Sequence, residues 1–588
     1  MYESTKSSSL RAGGRPRARA RPVGVNRYLQ WAGSALVRDL ARKFALQNAV
    51  QHDGKADVKA VVGRLLATDA SLRAKAAEVR AEVEKIVTAV NALTAEAQRE
   101  ELERTAPELL ERKKPEVHAG LPDLSGVTGP VVMRLAPFPS GPLHIGNARM
   151  VVLNDEYVRR YGGKLILAYD DTIGSEEKFI LPEAYDQIRE GLDWLGVNVH
   201  EVVYKSDRLP LFYEWGERIL AAGAAYVCEC PSDRLRGLRA KAEPCEHRGR
   251  DAADSTERFR AMLRGDYREG QAIVRLKTDM AHANPAFRDR VLFRIAEREH
   301  PRVGRKYRVW PLLEFSWAVD DHVLGITHVV RGKDLVMEDA METAIWDALG
   351  VQRRPHFVHH GLLGLADLEL SKTELRKAME RGEVTGIDDP RTWTLQSLAR
   401  RGIAPEAVRT FVKSFGLSLA DVTVPAETLF AENRKLIDRV ADRYFFVKDP
   451  VAVRLDRLPD TASLHLSRHP DDPARGQREV PTGDTVHVSR VDFAAHRGEE
   501  VRLKDWCNVI LDEAARFTSR EVKDVPKIQW VAGGLPATVL MPDGTEARGL
   551  GEMALRDARP GQVVQFERFG FARLESVGDA VRAVLAHR

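Results

Sequence analysis

Apolar residues recur along this chain with more than one period, and each change of period marks a new segment. Val79, Val83, Ile86, Val90 and Leu93 fall at steps of three and four, one face of an amphipathic helix. The opposite face is dense in Glu, Lys and Arg, so packing is a sufficient account of it. The pattern stops in the Lys-, Pro- and Gly-rich stretch ERKKPEVHAGLPDLSGVTGP, which ends at residue 130. VVMRLA (131–136) then reads as a buried strand, IGNARMVVLNDEYVRRY as a helix stopping at Gly162-Gly163, and KLILAY (164–169) as a second strand. Strand, helix and strand in so short a span make a βαβ unit, normally parallel and right-handed. The alternation runs on to about residue 365 through AIVRLK, VLFRIA and GITHVV. It predicts a doubly wound, Rossmann-like α/β domain, interrupted between about 226 and 270.

Beyond residue 374 the chain reads helical to 447, with PEAVRTFVKSFGL and AENRKLIDRVADRYFFV. After Pro450 short runs alternate with turns. ATVLMPDGTEARGL places Pro-Asp-Gly between two runs, a hairpin signal, and GQVVQFERFGFARLES is a second strand pair. The expectation is a multidomain chain: a basic tail over 1–27, a helical region over 28–115, an α/β domain over 128–373 with its insertion at 226–270, a helical domain over 374–447, and β-barrels over 448–588.

Composition changes this picture little. At 588 residues, 30% charged and 44% hydrophobic, the chain is globular with several domains, and a net charge of +4 singles out no partner. The distribution says more. Lys6, Arg11, Arg15, Arg17, Arg19, Arg21 and Arg27 face a single acid, Glu3, among Ser, Gly and Pro, a composition that cannot bury a core. A solvated tail, a nucleic-acid-binding arm and a transit peptide all fit it, the last least well because the apolar face is poor. No stretch of 18 or more apolar residues is present, so no membrane span is expected. With no secretory signal, a cytoplasmic protein is the expectation.

Candidate chemistry begins in the first βα turn, at APFPSGPLHIGN. Ligands of a doubly wound sheet bind beyond the carboxyl ends of its strands, where a helix N-terminus offers free N–H groups to phosphates. Gly141 and Gly146 let backbone approach a ligand, and His144 sits where a ring nitrogen can donate to a phosphate oxygen gaining charge. Ser371-Lys372-Thr373, read as a loop past the sheet, offers a lysine that can close over a triphosphate.

Of the 4 cysteines, Cys228, Cys230 and Cys245 cluster with His247, three thiolates and an imidazole suited to a closed tetrahedral zinc site. The polar segment PSDRLRGLRAKAEP between them is too poor in apolar residues to fold unaided. Cys507 stands alone and reads as a core residue.

Taken in order, HIGN and ELSKT resemble the HIGH and KMSKS signatures of class I aminoacyl-tRNA synthetases. VVMRLAPFPSGPLHIGNAR, YGGKLILAYDDT, VDDHVLGITHVVRGKD, GIDDPRTWTLQSLARRGI and VLMPDG…GLGE…VVQFERFGF are similar to glutamyl-tRNA synthetases of the archaeal type, from about residue 40 to 575. The resemblance implies that His144 and Gly146 hold ATP, entering with Mg2+, and that Lys372 and Ser371 contact its phosphates, with Asn147 beside them. It implies that Arg134 pairs with the substrate side-chain carboxylate, Asp170 holds the α-amino group and Arg331 lines the same pocket. It implies a stem-contact role for 374–447, anticodon-binding barrels, an acceptor-binding zinc insertion, and tRNA, ATP and glutamate as partners of a monomer. A glutamate–tRNA ligase is the leading expectation. A paralogue charging another amino acid or serving a biosynthetic pathway, and a catalytically impaired tRNA-binding protein, stand beside it. The chain departs from the pattern at Asn147, in place of the second His, and at Glu369, in place of the first Lys. Phe138, Ala168, Leu313 and Trp317 depart too and predict a bulkier, more apolar pocket.

Overall fold

The computed structural model describes residues 35–52, 54–68, 72, 76–109, 120–174, 179–366, 368, 370–456 and 462–588. The expected basic tail and Glu369 lie outside them. Two units separate, residues 1–118 and 119–588.

In the first unit helices Ala35–Gln51, Val58–Thr68, Ala76–Asn91 and Ala95–Thr105 close around Val37, Ala45, Leu65, Val83 and Leu102. The third helix buries Val79, Val83, Val87 and Val90. Val87 thus takes the core position expected of Ile86, which packs at the rim, and Leu93 lies past the helix end.

The second unit begins with the expected βαβ. Strands Val132–Leu135, Lys164–Tyr169 and Glu201–Tyr204 pair in parallel. Helix Ile145–Arg160 crosses over between the first two. Gly162 ends it in the left-handed region, and a Cβ on Gly163 would fall 2.1 Å from the Val131 carbonyl oxygen, so the return strand starts in backbone contact with the first. On the other side of Val132–Leu135 lies the parallel pair His328–Gly332 and His356–His360, joined by a Thr327 N–H donating to the Val132 carbonyl at 2.8 Å. The strand order reverses there, beside Val132–Leu135, which places a binding crevice at the carboxyl ends of these strands.

AIVRLK and VLFRIA do not continue this sheet. Ile273–Leu276 and Val291–Ile295 join Ala225–Cys228 and Val309–Pro311 in a four-stranded antiparallel sheet. The interruption therefore spans 225–311, wider than the expected 226–270, because an alternating pattern does not encode the direction of its neighbour.

The helical segment holds Leu395–Arg401, Pro405–Lys413 and Glu427–Ile437, but DRYFFV is strand rather than helix. Tyr444 and Phe446 pack in one β core and Phe445 and Val447 in another. A run buried on both faces loses its alternation, which hides it from a periodicity reading. Each core belongs to a seven-stranded sheet. One sheet has Asp442–Tyr444 and Phe446–Lys448 as its two edges, separated only by Phe445, so it curls back on itself as a barrel. The β region thus starts at 442, not 448. The Pro-Asp-Gly hairpin forms between Leu535–Leu540 and Glu546–Gly551, and Val563–Phe566 pairs with Gly570–Ser576 as expected. Among the described residues no helix is long and apolar enough to cross a membrane.

Candidate active site

His144 is the N-cap of the crossover helix. Its Nδ1 accepts from the Gly146 N–H at 3.1 Å, and the Asn147 Oδ1 accepts from the His144 N–H at 3.1 Å, a reciprocal capping box. With Nδ1 an acceptor, the ring proton sits on Nε2. Burial first, and the charge of Lys372 second, lower the His144 pKa to about 4, so the ring is neutral at pH 7. Gly146 has a packing reason as well: a Cβ there would meet the His144 ring and the Leu363 carbonyl at 3.0 Å. The turn is clamped from outside. The Ile145 N–H donates to Trp393 O at 3.1 Å, and the Leu395 N–H to Leu143 O at 2.9 Å.

Ser371-Lys372 is not a loop. Ser371 caps helix Lys372–Glu380, its hydroxyl accepting from the Glu374 N–H at 3.3 Å, a shape set by the cap and by helix-forming residues after it. Lys372 therefore projects from a helix start, and its Nζ donates to Gly141 O at 3.1 Å. Gly141 has φ +146°, open to glycine. Burial lowers the Lys372 pKa to about 8. Lys372 lines a cavity of about 200 Å3 with His144, Ser371 and Thr394, and one of about 320 Å3 with Phe138, Asn147 and Arg376. The fold has thus brought together every residue expected at the ATP phosphates.

Arg134, Asp170 and Arg331 end three neighbouring strands and are all buried. Each is already engaged. Arg134 pairs with Asp321 through Nε and through Nη2, the latter at 2.8 Å. Asp170 accepts from the Lys205 Nζ at 2.8 Å, and Arg331 pairs with Asp339 and, at 2.8 Å, with Glu342. The Trp317 ring lies 4.8 Å from the Arg134 guanidinium, 5.1 Å from that of Arg331 and 5.3 Å from the Lys205 ammonium. Burial, with Asp321 next, pushes the Glu342 pKa up to about 8. Trp317 Nε1 and Glu342 Oε2 have no hydrogen-bond partner among the described residues. Two other expected pocket residues lie elsewhere. Ala168 packs with Ile166, Ile326 and Val329 beneath the sheet, and Phe138 lines the cavity of Asn147 and Lys372.

In the insertion, ligand atoms of Cys228, Cys230, Cys245 and His247 all lie within 4.8 Å of one another. His247 turns Nδ1 toward Cys230 at 3.3 Å, while its Nε2 faces the Glu229 carboxylate at 3.8 Å, an orienting partner of the kind metal-bound imidazoles use. Helix Ser232–Lys241 in the intervening segment buries no residue, in keeping with a segment held at its ends.

Residues 130–439 match the family described as tRNA synthetases class I (E and Q), catalytic domain; 441–526 and 527–575 match its anti-codon binding domains. The chain is 43% identical over 574 residues to a glutamate–tRNA ligase of Pyrococcus abyssi, covering 94% of this chain and 100% of that one. A glutamate–tRNA ligase of Methanothermobacter thermautotrophicus is 42% identical over 561 residues, again covering 94% and 100%. A solved glutamate-tRNA synthetase from Elizabethkingia anophelis aligns with TM-score 0.39 at 20% identity, over 53% of this chain and 71% of that one. The chain belongs to the class I tRNA synthetases of the E and Q branch.

In this class I synthetase several site residues carried no signal in the sequence. Asp321 reaches Arg134 from 187 positions away and Lys205 reaches Asp170 from 35, while Asp339 and Glu342 meet Arg331 from the helix that follows its strand. Only burial of a charged residue within an apolar helix pattern, as at Asp320-Asp321, could have marked one of them. Trp393 and Thr394 fall inside a quoted stretch of the family, yet only the structure shows them clamping the His144 turn.

Proposed function

We propose that this synthetase activates glutamate with ATP and transfers it to the 3′ end of tRNA. Its relationship to glutamate–tRNA ligases over nearly the whole chain carries the reading. In the first step an oxygen of the glutamate α-carboxylate attacks the α-phosphorus of ATP, and pyrophosphate leaves with the electron pair of the broken P–O bond. In the second, a hydroxyl of the terminal adenosine attacks the acyl carbon and AMP leaves. No covalent enzyme intermediate is needed, so catalysis is positioning and charge stabilisation.

The neutral His144 donates through Nε2–H, and Asn147 through its amide N–H2, which its capping bond leaves free. Lys372 moves from Gly141 O to the phosphates, where its charge offsets that growing on pyrophosphate. Mg2+ arrives with ATP as part of the substrate. Arg134 takes the side-chain carboxylate and Asp170 the α-amino group, each exchanging an internal partner for the substrate. Cys228, Cys230, Cys245 and His247 hold a structural zinc ion, which fixes the insertion against the acceptor end.

Charging of total tRNA with labelled glutamate tests the reading, with glutamine as the control. Arg134→Ala should abolish the preference for the acid. One observation favours a second reading, a paralogue with another amino acid: Arg134 is already neutralised by Asp321 and covered by Trp317. Attachment of a different amino acid, with glutamate inert, would replace the first reading by the second.

A further inference from the structure

Two phenyl rings at the active site have no part in the chemistry described so far. Phe138, which departs from the family pattern, and Phe179, which is 46% exposed, line one cavity of about 320 Å3 with Asn147, Lys372 and Arg376. Two guanidinium groups lie over the Phe179 ring, that of Arg376 at 5.3 Å from its centre and that of Arg298 at 5.5 Å. Leu143 and Met150 add apolar wall, and among the described residues no carboxylate lines the cavity. Arg376 does meet Glu380, at 3.5 Å, but one turn along its own helix and in a partly exposed pair worth little.

The place of this cavity selects its occupant. The Pro137 carbonyl, on its wall, accepts from the Asp170 N–H at 3.1 Å, so the cavity borders the residue assigned to the α-amino group. Asn147 and Lys372 form its phosphate side. It therefore lies where the acyl carbon of an adenylate has to be reached by the third reactant, the terminal adenosine of tRNA. The separate cavity of His144, Ser371 and Thr394, which Lys372 also lines, remains for ATP. A single exposed phenylalanine is ordinary. Phenyl rings and guanidinium groups together in a cavity free of carboxylates suit a nucleotide, because rings stack on any base and guanidinium N–H groups donate to phosphate oxygens.

We propose that Phe179 and Phe138 form a platform on which the base of the 3′-terminal adenosine of tRNA stacks, with Arg376 beside it for the phosphate. The proposal rests on the synthetase reading. Its test compares the affinity of the whole chain for tRNA with and without that terminal adenosine, with a non-hydrolysable ATP analogue bound. Truncation should weaken binding to the parent about tenfold, within the span of losing one base–aromatic stack, and leave binding to Phe179→Ala almost unchanged. Phe179→Tyr, which keeps the ring, should behave as the parent does. Phe179 is half in solvent, so the alanine variant is expected to fold. An equal truncation effect in parent and Phe179→Ala overturns the platform. A fall in ATP affinity of Phe179→Ala in equilibrium dialysis, with the truncation effect retained, also overturns it and hands the ring to the base of ATP. A parent that charges tRNA yet shows equal truncation effects loses the platform alone, whereas a parent that charges no tRNA with any amino acid loses the synthetase reading and the platform with it.

Discussion

Single side chains at the ATP site carry opposite electrostatic tasks. In the proposed roles a neutral His144 donates one hydrogen bond, whereas Lys372 must be charged to act on the phosphates. Its ammonium is the group most exposed to loss: Lys372→Ala should slow pyrophosphate exchange roughly a hundredfold, the scale of removing one transition-state contact, with tRNA affinity unchanged. Equal exchange rates in mutant and parent would leave Lys372 only its contact with Gly141 O. The pH profile follows from the same burial. The lysine pKa is lowered to about 8, so the free enzyme loses this charge as pH rises through that value. The kcat/KM for ATP should therefore fall above about pH 8, and Lys372→Arg, which stays charged, should flatten the fall.

Two elements depend on contacts that a local reading of them does not supply. The turn from the crossover helix to strand Lys164–Tyr169 leaves no room at Gly163. Gly163→Ala puts a methyl 2.1 Å from a backbone oxygen, which cannot rotate away. A loss of about 3 kcal/mol is expected, read as an earlier unfolding transition in urea. The insertion carrying the Cys/His quartet, the proposed zinc site, is the second case. Helix Ser232–Lys241 has no fully buried residue and packs Leu235 and Leu238, half-buried, against the cysteine cluster, so its place leans on the Cys/His quartet that flanks it. Cys245→Ser should lose the metal by elemental analysis and open the arginines of this helix to trypsin. A parent purified without chelators and free of zinc would end the metal assignment.

Across the whole second unit the chain passes from one seven-stranded sheet to the other at Asp449 and returns after Val531. A buried ion pair holds the junction. Arg478 Nε donates to Glu552 at 2.8 Å, and the Phe445 N–H donates to the same carboxylate at 2.9 Å. Burial pushes the Glu552 pKa up to about 7, above its ordinary value of 4.5. The folded state thus holds this proton more tightly than the unfolded chain, and the group's contribution to stability declines as pH rises from about 4.5 to 7. Removing the arginine leaves the carboxylate without its counter-charge, with only the Phe445 N–H bond named above. Arg478→Met should cost about 3–5 kcal/mol at pH 8 and less at pH 6, where Glu552 is protonated more of the time. Thermal unfolding of parent and variant at the two pH values measures it. A deficit independent of pH would mean that lost packing, not the bare carboxylate, explains the effect.

What the sequence determined by itself is local or is carried by spacing. The βαβ unit, its Gly162-Gly163 stop, the strand Lys164–Tyr169, both hairpins and the Cys/His quartet were all legible, because period, turn chemistry and ligand spacing act over a few residues. Resemblance added the reaction class and the residues expected to serve it. Tertiary structure alone decided the rest. It made the segment at 225–311 antiparallel, since strand direction is a property of the partner. It turned DRYFFV into the seam of two cores, since burial on both faces erases alternation. It set Asp321 against Arg134 and three cations around Trp317. Such pairings join residues as far as 187 positions apart, and no local pattern records which distant charge a buried group will meet.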